Sequence, residues 1–103
     1  MDTQARIKET VTGNTVVLYM KGSPKFPQCG FSSLATQVLD ACEAQYVAVD
    51  VLQDQEVREG IKVFANWPTI PQLYVKGEFV GGSDIIKSMY ESGELLTLLA
   101  GAK

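Results

Sequence analysis

The sequence predicts an α/β fold in which a four-stranded mixed sheet carries helices on both faces. Short β-branched and aromatic runs alternate with helical runs, so that the first half reads strand, helix, strand. The second half reads helix, strand, strand, helix, and two residues separate its two strands. With 103 residues, 46% of them hydrophobic, the chain can bury one core, and we expect a single domain over residues 1–103.

The first half supplies one helix and then a strand–helix–strand unit. A short amphipathic helix is predicted over residues 2–11. Strands are predicted at 16–20 and 46–50, and a helix at 32–42 lies between them. Because a helix that links two strands of one sheet makes a right-handed crossover, we expect these two strands to run parallel.

The second half supplies a helix, a hairpin and one or two closing helices. Asp54 is predicted to cap a helix that runs to about residue 65. Strands at 72–75 and 78–80 are joined by Lys76-Gly77, a connection typical of a tight hairpin. A further helix opens at 81–84, and a last helical segment covers 94–100. This order, with a cysteine at the first strand-to-helix turn, is that of the thioredoxin fold.

Charge and hydropathy exclude two classes of partner. Nine Lys and Arg residues stand against twelve Asp and Glu residues, for a net charge of −3, and no basic block is present that would follow a phosphate backbone. No apolar run approaches the roughly 20 residues that span a bilayer. The N-terminus lacks the pattern of a secretory signal. We expect a cytoplasmic protein, or a mitochondrial or plastid one if a transit peptide has been removed.

Cys29 is the candidate reactive residue. It falls at or just before the first turn of the second helix, where unpaired N–H groups and the helix dipole favour an anion. Lys21 adds a positive charge from across the loop, so we expect the thiol to titrate below the usual value of about 8.5. The alternative is a small buried hydrophobic residue. Pro27 and Gly30 indicate an exposed turn and favour the reactive thiol.

A second thiol is out of reach of Cys29. The position that would hold a resolving cysteine is Ser32, whose hydroxyl cannot form a disulfide. Cys42 lies 13 residues further on, roughly 20 Å along a continuous helix at about 1.5 Å per residue. A disulfide tolerates a Cα separation of only about 7 Å. Cys42 is therefore predicted to be a buried helix residue.

The stretch around Ile70 and the glycine pair at 81–82 are candidate binding segments. A cis bond before Pro71 would leave the Ile70 N–H and C=O free to pair with an extended peptide; alternatively, the two prolines only shape a loop. The N–H groups of Ser83 and Asp84 make a carboxylate site at a helix start, or these residues simply cap the helix. Lys21 and Arg58 supply two cations, each of which alone is more often a solvated surface charge.

Four motifs together resemble the monothiol glutaredoxins of the CGFS class over essentially the whole chain. In order, they are Lys21-Gly22-Ser23-Pro24, Cys29-Gly30-Phe31-Ser32, Asn66-Trp67-Pro68-Thr69-Ile70-Pro71-Gln72 and Gly81-Gly82-Ser83-Asp84. The resemblance implies that the chain binds glutathione. Lys21 and Arg58 would hold the glycyl carboxylate, Ile70 would pair with the peptide backbone, and Ser83 with Asp84 would hold the γ-glutamyl end.

The resemblance also implies a task for a single thiol. In the family, Cys29 from each of two subunits and two glutathiones would ligate a [2Fe-2S] cluster at the centre of a homodimer, a set of four thiolates. The implied function is cluster carriage, with a BolA-like protein and apo iron-sulfur proteins as partners. Some relatives carry a cysteine at the position of Ser83, and this chain departs from that pattern.

Two other classes of function stay open. As an enzyme, the chain would reduce protein–glutathione mixed disulfides through attack by Cys29, with weak activity expected from the CGFS resemblance. As an interaction module, it would bind a partner through the same face without metal. Ser32 and the missing resolving cysteine favour the carrier.

Overall fold

The structure, a computed structural model, describes residues 2–102 as one sheet with helices on both faces. Its elements are α1 (Thr3–Gly13), β1 (Val16–Met20), α2 (Gly30–Ala41), β2 (Val47–Asp50), a 3₁₀ turn (Val51–Gln53), α3 (Gln55–Ala65), β3 (Gln72–Val75), β4 (Glu78–Gly81), α4 (Ser83–Ser92) and α5 (Glu94–Gly101). Among these residues, no helix is long and apolar enough to cross a membrane.

The sheet has the strand order β2-β1-β3-β4. β1 and β2 run parallel, whereas β3 is antiparallel to both β1 and β4. The pairs nearest one end of the sheet are Met20–Asp50, Tyr19–Gln72 and Leu73–Gly81. The ends of β1, β2 and β4 and the start of β3 therefore meet at one edge, which we call the site edge. The topology confirms the predicted thioredoxin fold.

Two apolar layers cover the sheet. α1 and α3 pack on one face, where Ile7, Val11 and Ile61 bury against the sheet. α2, α4 and α5 pack on the other, where Leu39, Ile86 and Leu95 are fully buried. β1 lies between both layers, and for that reason all five of its residues are apolar and buried.

The element boundaries lie within two residues of the predicted ones. α2 begins at Gly30 rather than at residue 32, because Cys29 is the last residue with extended dihedral angles, φ −154° and ψ 139°. β2 starts one residue later than predicted, and α1 runs to Gly13 rather than to residue 11. The 3₁₀ turn after β2 was not expected; the Asp50 side chain stabilises it by accepting the Leu52 N–H at 2.9 Å.

The predicted hairpin is confirmed. Lys76 and Gly77 adopt positive φ values of 53° and 81°, which is the two-residue geometry that matches the twist of the flanking strands. Asp54 caps α3, as expected, by accepting the N–H groups of Glu56 and Val57. These local signals fix the second half of the sheet and so set where β3 begins at the site edge.

Candidate functional site

The loop between β1 and α2 delivers Cys29 to the site edge. Gln28 N–H donates to the Lys21 carbonyl at 2.9 Å, and Phe26 N–H donates to the Ser23 carbonyl at 3.0 Å. Gly22 makes the bend possible with a φ of 90°, a value that L side chains rarely adopt. The loop therefore folds back on itself and returns the chain to the end of β1.

Two partly buried hydrogen bonds anchor this loop to its neighbours. The Ser32 hydroxyl, fully buried in the first turn of α2, accepts the Lys21 N–H at 3.0 Å. Asp50 at the end of β2 accepts the Gly22 N–H at 2.9 Å. Asp50 is a site residue that the sequence alone did not indicate. An aspartate that ends an apolar strand is a signal for such an anchor, because its carboxylate caps nearby N–H groups.

Cys29 is the N-cap residue of α2 and is half-buried. Burial alone would raise the pKa of its thiol. The N–H groups of Ser32 and Phe31 lower that pKa, and the Lys21 charge and the Ser32 hydroxyl add to the effect. The pKa of Cys29 therefore lies below its ordinary value, as the sequence predicted.

The surroundings of Cys29 are open. The side chains of Phe26 and Phe31, which flank it in the chain, are 71% and 62% exposed. The thiol makes no side-chain capping hydrogen bond. A small buried hydrophobic residue does not fit this setting, whereas a nucleophile or a metal ligand does.

Cys42 stands at the other end of α2 in a different setting. It is the C-cap residue, it donates its N–H to the Val38 carbonyl at 3.1 Å, and burial raises the pKa of its thiol. It lines a cavity of about 530 Å³ together with residues such as Leu96 and Leu99. It is half-buried rather than the buried helix residue that was predicted. None of the predicted site residues lines this cavity.

The Ile70-Pro71 bond is cis, as the sequence predicted. Ile70 as a whole residue is only 6% exposed and packs in the α1–α3 layer. In the part of the chain that the structure describes, neither the N–H nor the C=O of Ile70 has a hydrogen-bond partner. This main-chain pair is therefore unpaired within residues 2–102.

The start of α4 lies against the same segment. Gly82 is its N-cap residue, and Ser83 and Asp84 are its first two helical residues. A Cβ at Gly82 would lie 3.3 Å from Trp67 Nε1 and 3.4 Å from the Pro71 carbonyl oxygen. The glycine therefore permits close contact between α4 and the cis-proline segment. Because Gly82 occupies the cap position, capping of α4 does not occupy the side chains of Ser83 and Asp84.

The fold brings five of the six predicted site residues to the site edge and leaves the sixth at its margin. Cys29 and Lys21 lie at the end of β1, and Ile70, Ser83 and Asp84 lie around the start of β3. Arg58 lies in the second turn of α3, half-buried, and its side chain makes no ion pair within residues 2–102. Their roles toward a ligand stay predictions.

The residues that the structure describes do not build a metal site by themselves. Within the described residues, no group of three or more His, Cys, Asp or Glu side chains is placed to hold a metal ion. Cys29 offers one sulfur ligand whose thiolate form is favoured.

Comparisons with known proteins agree on one family. The sequence model described as glutaredoxin matches residues 16–80. A protein of Synechocystis sp., named an uncharacterized monothiol glutaredoxin, is 52% identical over 98 residues, which cover 95% of this chain and 92% of that protein. Glutaredoxin 4 of Escherichia coli K12 is 50% identical over 94 residues, 91% of this chain and 82% of the relative. The solution structure of reduced poplar apo GrxS14 is similar with a TM-score of 0.83 at 43% identity, covering 96% of this chain and 91% of that one.

Proposed function

Since this chain belongs to the glutaredoxin family, we propose that it binds glutathione beside Cys29 and carries a [2Fe-2S] cluster shared between two subunits. The observation that supports this proposal most directly is that Cys29 is an activated thiol without a second cysteine beside it. The pKa of Cys29 is lowered, Ser32 takes the place of a second cysteine, and Cys42 stands at the far end of α2. One thiolate per chain suits a ligand better than a self-contained disulfide cycle.

The site edge matches the parts of glutathione. A tripeptide with a carboxylate at each end and a thiol in the middle needs cations, a main-chain partner and a helix start. Lys21 and Arg58 supply the cations, and the unpaired Ile70 N–H and C=O supply the main-chain partner. The first N–H groups of α4, at Ser83 and Asp84, suit a carboxylate. The ligand sulfur would then lie beside that of Cys29.

In this proposal the [2Fe-2S] cluster is the group that the protein carries, rather than a resident cofactor. The thiolate ligands of one chain do not complete its coordination, so two chains are needed. A [2Fe-2S] cluster takes four thiolates, and each chain offers one activated thiol. Two chains and two glutathiones complete the set, which makes the carrier a symmetric homodimer. Because only two of the four ligands come from the protein and the site is near the surface, transfer of the cluster to another protein is favoured. On this proposal the partners are a BolA-like protein and apo iron-sulfur proteins in the cytoplasm.

Anaerobic reconstitution with iron, sulfide and glutathione tests the proposal. We expect visible absorption and a dimer mass for the wild-type protein, and neither when glutathione is left out. Cys29→Ser should remove both signals, whereas Cys42→Ser should keep them. A wild-type protein that stays colourless and monomeric would contradict cluster carriage.

Reduction of protein–glutathione mixed disulfides is a second candidate, favoured by the lowered pKa of Cys29. The thiolate would attack the glutathionyl sulfur and release the protein thiol, and a second glutathione would then attack the Cys29 mixed disulfide to yield glutathione disulfide. We expect slow turnover in a coupled assay, lost in Cys29→Ser. Fast turnover together with failed reconstitution would make this activity the main one.

A further inference from the structure

Gln72 is a fully buried polar residue that holds the cis-proline segment from inside. It is the first residue of β3, directly after Pro71, and is 0% exposed. Its Nε2 donates to the carbonyls of Trp67 and Thr69, each at 3.1 Å. Its Oε1 accepts the Tyr74 hydroxyl at 2.9 Å. Both donor hydrogens of the amide and its oxygen are thus used.

The orientation of this amide is set by the core. The Tyr74 ring contacts the rings of Tyr19, Phe64 and Phe79, with centroid separations of 5.8, 5.9 and 5.5 Å. These packed neighbours fix the position of the hydroxyl that Gln72 accepts. A buried polar group left unpaired is costly in the low dielectric of the interior, so alternative orientations of the amide are disfavoured.

The segment from Trp67 to Ile70 depends on this contact because it has no regular secondary structure. Among residues 2–102, Gln72 is the only one whose side chain donates a hydrogen bond to a carbonyl of this segment. Trp67 N–H is tied separately to the Lys62 carbonyl at the end of α3, at 3.0 Å. The Thr69 carbonyl belongs to the same peptide unit as the Ile70 N–H. The Trp67 carbonyl lies two residues earlier, and Pro71 follows Ile70 directly.

We propose that Gln72 is a positioning residue for peptide binding: by fixing the Trp67 and Thr69 carbonyls, it holds the Ile70 N–H and C=O in the conformation that a bound peptide pairs with. The inference rests on the proposed glutathione binding and adds to it a residue that touches no ligand. Gln72 acts on the main-chain pairing only, since Cys29 and its neighbours Lys21 and Ser32 make no hydrogen bond to its side chain.

Calorimetric titration of glutathione into the reduced protein tests the inference. Gln72→Met keeps the length of the side chain and removes both donors, and we expect its dissociation constant to rise at least tenfold. The titration of the Cys29 thiolate, followed by ultraviolet absorbance, should stay unchanged. Tyr74→Phe keeps both loop hydrogen bonds and should raise the dissociation constant less than Gln72→Met does.

The control is Val11→Ala, which removes the two γ-methyl groups of a buried valine in α1. Val11 packs in the same apolar layer as Tyr74 but lies away from the site edge. This variant should lower stability and leave the affinity at the wild-type level. Wild-type affinity in Gln72→Met, an equal loss in Val11→Ala, or a shifted Cys29 titration in Gln72→Met would each overturn the inference. Should Gln72→Met not fold, Gln72→Glu replaces the donating amide with a carboxyl group of the same shape, and wild-type affinity in that variant overturns the inference. A wild-type protein that binds no glutathione removes the proposed function itself.

Discussion

The two cysteines stand at opposite ends of one helix, and the pKa values of their thiols shift in opposite directions. At the start of α2, N–H groups of the first turn and the Lys21 charge lower the pKa of Cys29. At the end of α2, burial raises the pKa of Cys42. Both thiols are free and half-buried. Exposure alone therefore does not explain which of them is reactive.

The difference shows that the helix start and Lys21 outweigh the effect of burial at Cys29, whereas burial acts alone at Cys42. The first turn of a helix presents unpaired N–H groups and the positive end of the dipole, both of which stabilise an anion. The last turn presents carbonyls, which do not. A count of cysteines therefore overstates the number of thiols that ligate or attack at neutral pH.

The largest expected effect is on thiol reactivity. With iodoacetamide at neutral pH, the wild-type protein should show one fast and one slow modification, with rates that differ at least tenfold. Cys29→Ser should remove the fast phase, and Cys42→Ser should remove the slow one. Peptide mass mapping after short exposure assigns each phase. Equal rates at the two thiols would break the comparison between the helix ends.

The second largest expected effect concerns only the loop that holds Cys29 at the start of α2. Gly22→Ala places a Cβ 2.5 Å from the Phe26 carbonyl oxygen at a φ of 90°. Because backbone has to move, we expect the free energy of unfolding to fall by at least about 2 kcal/mol. The thiolate titration of Cys29 should shift while that of Cys42 stays. Urea unfolding and ultraviolet titration measure the two quantities.

Gly30→Ala is the matched control for Gly22→Ala. A Cβ at Gly30 meets nothing within 4 Å, and this residue is already in the first turn of α2. Replacement of a helical glycine should raise the free energy of unfolding by about 0.5–1 kcal/mol. Similar losses in both variants would show that the bend at Gly22 is not what holds the Cys29 loop.

Local signals in the sequence predicted most of the fold. The bounds of β1 and β3 follow from their apolar runs, the hairpin from Lys76-Gly77, and the cap of α3 from Asp54. The start of α2 was placed two residues late, because cysteine is not among the preferred N-cap residues and the apolar periodicity begins after it. A helix boundary that is set by the backbone conformation of a single residue leaves little trace in the hydrophobic periodicity of the sequence.

The anchors of the site were harder to predict than its thiol. Cys29 and the cis bond at Ile70-Pro71 are marked by short local patterns. Asp50 anchors Gly22 across 28 residues of sequence. The role of Gln72 depends on a tyrosine hydroxyl in the same strand that only the folded core brings into place. Contacts of this kind depend on tertiary packing, so no local run of residues announces them.

A third, smaller effect contrasts the two thiols in the dependence of stability on pH. The pKa of Cys29 is lower in the folded state than in the unfolded state. At pH values between these two pKa values, the unfolded state therefore binds more protons. The free energy of unfolding should therefore rise with pH across that interval. For Cys42 the folded pKa is raised, so stability should fall as pH rises above the unfolded value.

Urea midpoints at pH values from about 6 to 10 check both signs. Cys29→Ser should lose the rise, and Cys42→Ser should lose the fall. Buried tyrosines such as Tyr74, whose pKa is raised by burial, lower stability at high pH in all three proteins, so they cancel from the differences. Parallel curves for the two variants would contradict the opposite pKa shifts of the two thiols.

The smallest effect isolates the Cys42 end. Glu43, the residue after the cap of α2, has a positive φ of 55°. Its N–H donates to the Asp40 carbonyl at 2.9 Å, and the Ala44 N–H donates to the Leu39 carbonyl at 3.0 Å, which is the Schellman arrangement that glycine fits best. Glu43→Gly should raise the free energy of unfolding by about 1 kcal/mol.

Ala41→Gly, two residues earlier and inside the helix, is the control for Glu43→Gly and should lower that free energy by up to about 1 kcal/mol. Neither variant should change the modification rate of Cys29, because the N–H groups that stabilise its thiolate belong to the first turn of α2. A change in that rate with an intact loop would mean that the two ends of the helix are coupled. The contrast between the thiols would then belong to the whole helix rather than to each end separately.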